Sequence, residues 1–134
     1  MKYIVCEQPG KFLLKEKEFP TRGKGEALLR VNKVGICGTD LHAYAGNQAF
    51  FSSPRILGHE LAAEVLEIDE NKRGIKPGDK VIVMPYISDE NSAASRNGKP
   101  NCCPNIKVLG VHIDGGMQEQ IVVPTDILLL SNHL

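Results

Sequence analysis

The sequence predicts a mainly β domain, a barrel or sandwich of six or more short strands with one short helix and one long loop. Three observations carry this expectation. Thirteen Gly and eight Pro are spread along the whole chain as punctuation, which favours short elements joined by tight turns over long helices. The apolar stretches between them are brief, rich in Val and Ile, and in part alternate with polar residues. With 134 residues, 42% of them hydrophobic and 24% charged, the chain can enclose one buried core and is read as one domain.

The elements follow in order. Lys2–Glu7, the turn Gln8-Pro9-Gly10 and Phe12–Glu18 make a hairpin that ends before Pro20, with Pro then Gly supplying the turn chemistry. Glu26–Val34 reads as a third strand. Cys37–Ala45 is the best short helix, with Thr39 or Asp40 as its cap and Gly46 as its stop. Leu61–Ile68, Lys80–Met84 and Gln120–Val123 are three further strands, and Lys76–Asp79 and Asp114–Gly116 are turns. Pro85–Pro104 shows no period and reads as a bare loop; loops that long in a compact domain are usually functional or pinned by something else.

Composition excludes several classes of function. Sixteen Lys plus Arg balance sixteen Asp plus Glu, so the surface lacks the one-signed charge that duplex nucleic acid or anionic lipid demands. Apolar runs such as Ile127–Leu130 are far shorter than the about 20 residues a membrane span needs. Met1–Glu7 has no apolar core of a secretory signal, so the chain reads as cytoplasmic. The four cysteines, two of them adjacent at 102 and 103, make a poor disulfide framework and a better set of free thiols or metal ligands.

The chemistry concentrates in Gly35-Ile36-Cys37-Gly38-Thr39-Asp40-Leu41-His42 and Gly58-His59-Glu60. Thiolate, imidazole and carboxylate are the ligand types Zn²⁺ prefers, and a catalytic zinc site uses three of them with one open position. Cys37 and His59 are candidates for two. A lone Cys at a strand end also suits a small buried hydrophobe, and spacing alone leaves both readings open.

These segments, with Pro54–Glu60 and Gly74-Ile75-Lys76-Pro77-Gly78-Asp79-Lys80-Val81, resemble the zinc-dependent, medium-chain alcohol dehydrogenase family over essentially the whole chain. The resemblance implies that residues 1–134 are a GroES-like catalytic domain, a partly open β-barrel with one or two short helices. It implies Cys37 and His59 as zinc ligands and Glu60 as a carboxylate able to join them. Asp40 would hold the ligating imidazole in one tautomer. Thr39 and His42 would pass the alcohol proton outward, a hydroxyl handing it to an imidazole whose ordinary pKa is about 6.5. The implied activity is hydride transfer between a secondary alcohol and NAD or NADP, with homo-oligomeric assembly of the full-length enzyme. Val108–Met117 is similar to members acting on polyols or sugar acids. Two other readings stay open: a zinc-free reductase on the same scaffold, and a non-catalytic binding or assembly module.

The sequence departs from the family's pattern in two places. The family's four structural-zinc cysteines align with Asp89, Ser92, Ser95 and Cys103, and one thiolate among hydroxyls is a poor zinc site. The expectation is therefore one catalytic zinc and no structural zinc, with Ser88–Asn101 mobile or rearranged. The third catalytic ligand and the nicotinamide-binding Rossmann domain would lie beyond Leu134, and no Gly-x-Gly-x-x-Gly follows any predicted strand. This chain alone is thus expected to be inactive, with Leu128–Leu130 and His133-Leu134 forming an apolar cut edge. Tyr44, Phe50 and Phe51 are candidate pocket residues, and His112 is read as structural.

Overall fold

A computed structural model describes residues 1–132; His133 and Leu134, read above as part of a cut edge, lie outside the described residues. The strands are β1 (Lys2–Gln8), β2 (Lys11–Glu16), β3 (Glu26–Gly35), β4 (Arg55–Ile56), β5 (Glu60–Glu67), β6 (Lys80–Val83), β7 (Tyr86–Ile87), β8 (Lys107–Val108), β9 (Gln120–Pro124) and β10 (Leu128–Leu130). Two α-helices, α1 (Gly38–Ala45) and α2 (Ala93–Arg96), interrupt them. The mainly β expectation holds.

Five strands form one antiparallel sheet in the order β10-β6-β5-β3-β9, three form a second in the order β2-β1-β4, and β7 pairs with β8 as a ribbon. The core follows from alternation along the five-stranded sheet. Leu61, Ala63 and Val65 of β5 face inward with Val81 and Val83 of β6 and Ile121 and Val123 of β9, while Ala62, Glu64 and Ile82 lie on the other face. A smaller cluster of Cys6, Ala43 and Leu57 fixes α1 against β1. Burial pushes the Cys6 thiol above its ordinary pKa, as expected of a thiol that serves only packing.

The sequence reading and the structure differ in several places, among them the short strands β4 and β8, which the sequence did not predict. First, α1 is capped by Cys37 and not by Thr39 or Asp40; Asp40 is its third residue and reaches back so that its Oδ2 accepts the Cys37 N–H at 2.9 Å. Gly46 ends the helix as expected. Second, Leu128–Leu130 is not simply a cut edge. It pairs with β6, and Leu128 is wholly buried in the main core while Leu129 and Leu130 stay exposed.

Third, Pro85–Pro104 is not a bare loop, since it carries β7, α2 and a 3₁₀ turn at Pro100–Cys102. The positions aligned with the family's structural-zinc cysteines meet in this lobe. Ser92 caps α2 by accepting the Ser95 N–H at 3.1 Å, its hydroxyl lies 2.9 Å from that of Ser95, and the Asp89 N–H points at the buried Cys103 Sγ from 3.4 Å. Fourth, the candidate pocket aromatics part ways: Tyr44 lines a cavity with Phe12, Ile36, Asp40 and Leu41, separate from the one at Cys37. Tyr44 stacks on Phe12 with ring centroids 5.0 Å apart, Phe51 packs on the small core cluster, and Phe50 is exposed.

Candidate metal centre

β3 and β5 run antiparallel with Gly35 opposite Glu60, which brings the end of one strand against the start of the other. Cys37 follows β3 at the head of α1, and His59 immediately precedes β5. Their ligating atoms therefore converge although the residues are far apart in sequence. Cys37, His59 and Glu60 each offer one ligand atom, and the three atoms lie within 4.8 Å of one another. Gly35 makes room for this: a Cβ there would sit 2.3 Å from Glu60 Oε2, so any larger residue would displace the carboxylate.

Asp40 stands behind the cluster, 4% exposed. Its Oδ2 accepts the Cys37 N–H at 2.9 Å, and its Oδ1 accepts the Gly58 N–H at 3.3 Å. One carboxylate thus ties together the backbone next to both candidate ligands. The same Oδ1 lies 3.8 Å from His59 Nδ1, a buried nitrogen with no hydrogen-bond partner of its own among the described residues. Nδ1 faces a carboxylate while Nε2 faces Thr39 Oγ1 at 3.3 Å on the side of the cluster. At 3.8 Å the contact between Asp40 and His59 is electrostatic, longer than a hydrogen bond.

The residues present fit a zinc ion. A thiolate, an imidazole with its far nitrogen aimed at an acid, and a carboxylate are a mixed donor set of the zinc type, and three protein ligands leave a further position open. The cluster opens on a cavity of about 590 Å³ lined by Leu61, Val83, Met84, Pro85 and Tyr86 in addition to the three ligands and Lys33. Met84 and Tyr86 are half-exposed walls that sequence reasoning missed. Met84 was read only as the end of a strand and Tyr86 as part of a bare loop, and neither placement points to a cavity.

The remaining candidates are placed as follows. Thr39 lies beside His59, and His42 is three residues further along α1, on the same face of the helix. His42 is exposed, with Nδ1 3.0 Å from Asn47 Oδ1. His112 accepts the Val108 N–H on its Nδ1 at 3.1 Å, a local bond, and is not one of the three clustered ligands. The Ser92 hydroxyl holds the Cys103 thiol below its ordinary pKa. Among the described residues, no helix is long and apolar enough to cross a membrane.

The chain is thus a barrel-like β fold with a Cys-His-Glu cluster at a strand-to-helix junction, and comparison with known proteins gives its family. Residues 23–132 match the model of the alcohol dehydrogenase GroES-like domain, and the chain belongs to that family. It is 44% identical over all 134 residues to the L-galactonate-5-dehydrogenase of Escherichia coli K12, covering 39% of that protein. It is 41% identical over 129 residues to a zinc-type alcohol dehydrogenase-like protein of Haemophilus influenzae, covering 96% of this chain and 38% of the relative. Among solved structures, a short chain alcohol dehydrogenase from E. coli CFT073 complexed with NADH superposes with a TM-score of 0.88 at 37% identity, over 97% of this chain and 38% of the other. The chain thus spans about two fifths of the length of the curated relatives it matches.

Proposed function

We propose that this chain is the catalytic domain, residues 1–134, of a longer zinc-dependent dehydrogenase that transfers hydride between a secondary alcohol and NAD or NADP. A polyol or sugar acid is the substrate class, supported by the likeness to the L-galactonate-5-dehydrogenase. The observation that carries the reading is the convergence of Cys37, His59 and Glu60 within 4.8 Å, backed by Asp40.

Cys37 and His59 would hold the ion, with Glu60 as a ligand that can join or leave. When bound, zinc supplies Lewis acidity that makes an alcohol hydroxyl easier to deprotonate. Asp40 would orient His59 electrostatically, its Oδ1 3.8 Å from Nδ1 while Nε2 lies 3.3 Å from Thr39 Oγ1. Thr39 Oγ1, on the cluster side of His59, is positioned to accept a substrate proton and pass it along the α1 face to His42, which is exposed to solvent. Leu61, Val83 and Met84 would give the carbon skeleton of a substrate an apolar wall to lie against.

Two parts of the reading concern the whole protein. The nicotinamide site and a third permanent ligand would lie outside these 134 residues, and the domain by itself would not turn over. Asp89, Ser92, Ser95 and Cys103 would leave the enzyme with one zinc per chain. The likeness to metabolic dehydrogenases fits a cytoplasmic homo-oligomer acting on a small molecule, with neither nucleic acid nor membrane as partner.

Cobalt titration of the full-length enzyme followed by visible spectroscopy, beside Cys37→Ser, tests the metal centre. The expected result is one cobalt per chain with a thiolate-to-metal charge-transfer band that the variant lacks. Absence of binding, or the same band in Cys37→Ser, would move the assignment to a zinc-free reductase or a non-catalytic module.

A further inference from the structure

His59 owes its place to a segment more than fifty positions away in the chain. Asp114–Met117 lies along Ile56–Gly58 as a short ladder. The Gly115 N–H donates to the Ile56 carbonyl at 2.7 Å, the Gly116 N–H to that of Gly58 at 2.8 Å, and the Met117 N–H to that of Leu57 at 2.9 Å. In the other direction the Ile56 N–H donates to Asp114 Oδ1 at 3.1 Å. The Gly58 peptide is thereby held on two sides, its carbonyl by Gly116 and its N–H by Asp40.

Gly115 permits this contact. It is buried, and a Cβ on it would lie 2.2 Å from the Gly58 carbonyl oxygen, 2.6 Å from that of Leu57 and 2.8 Å from Gly110 Cα. All three are backbone atoms, so no side chain can swing aside, and real Cβ atoms essentially never come so close. Gly115 does not occupy the left-handed region. What the position requires is space, and the backbone that would yield is the one directly before His59.

We propose that Gly115 is a positioning residue for His59: by letting Asp114–Met117 lie flush on Leu57 and Gly58, it sets the direction in which the His59 imidazole enters the cluster. The inference rests on the reading of Cys37, His59 and Glu60 as a metal centre. It adds that the Asp114-Gly115-Gly116 turn is part of that centre's support.

The test compares Gly115→Ala with Val123→Ala, a core truncation on β9 paired with Ala27 and away from His59. Asp114→Ala is the milder companion, removing one acceptor from a half-exposed side chain, and serves if Gly115→Ala does not fold. Two readouts are taken on the full-length enzyme: the ring ¹⁵N shifts of His59 in metal-free protein, and cobalt affinity. Gly115→Ala, or Asp114→Ala in its stead, is expected to move the His59 ring signals. It should also weaken cobalt binding about 10- to 100-fold, the usual effect of losing a ligand's outer support. Val123→Ala should lower stability and change neither readout. If the Gly115 and Asp114 variants match Val123→Ala in both, the glycine serves packing alone and the proposal fails. If wild-type protein takes up no cobalt, the metal reading falls by itself, and the His59 ring shifts still decide whether Gly115 positions that side chain.

Discussion

Replacing Asp40 by Ala removes the acceptor for two backbone N–H groups at once, those of Cys37 and Gly58. Asp40 is 4% exposed, so water has little access to replace the lost oxygens. A buried donor left without a partner costs about 1–3 kcal/mol, which puts Asp40→Ala at about 2–6 kcal/mol before relaxation. A domain of ordinary stability has only about 5–15 kcal/mol in total, so the variant should be severely weakened. Asp40→Asn keeps one carbonyl oxygen and should lose about half as much. The assay is urea unfolding followed by far-ultraviolet circular dichroism, read as a shift in midpoint at constant slope. Cobalt affinity should fall in both variants, since His59 Nδ1 would lose the carboxylate it faces. Asp40→Ala unfolding within about 1 kcal/mol of wild type would show that neither N–H depends on this side chain, and would refute the reasoning.

Two further outcomes are expected. Ser92→Ala should cost about 1 kcal/mol by uncapping α2; it should also let the Cys103 thiol return upward toward its ordinary pKa, seen as a shift in the pH dependence of its alkylation. Asp79 accepts the Lys76 N–H and a hydrogen bond from Asn132, and these hold its carboxyl below the usual carboxylate range. Its stabilising effect is then present above the unfolded pKa of about 3.9 and lost as pH falls through the lower folded value. The stability gap between wild type and Asp79→Asn should therefore narrow below about pH 4, and a gap that stayed constant down to pH 2 would contradict it.

Where the strand reading succeeded, the signal was local. Val and Ile alternating with polar residues, bounded by Pro-Gly turns, placed β1, β2, β3, β5, β6 and β9 to within a few residues. The four missed strands, β4, β7, β8 and β10, are two or three residues long and too brief to show a period. Each exists because a distant partner supplies its hydrogen bonds: β1 for β4, β6 for β10, and β7 and β8 for each other. The helix cap was misplaced for a related reason. Thr39 and Asp40 are better capping residues than Cys by type, yet Asp40 works from inside the helix because its carboxylate is also needed by Gly58.

The ligand types, the turn positions and the balanced charge are properties of the residues themselves, and the family resemblance, not the spacing, singled out Cys37, Asp40, His59 and Glu60. That these side chains meet was decided by the antiparallel register placing Gly35 opposite Glu60, a pairing whose strength comes from the whole five-stranded sheet. The direction of His59 depends on Asp40 from one side and Asp114–Met117 from the other. Side-chain chemistry is local and can be read along the chain; a metal site needs several donors within a few ångströms, and that proximity arises only when segments remote in sequence pack against one another.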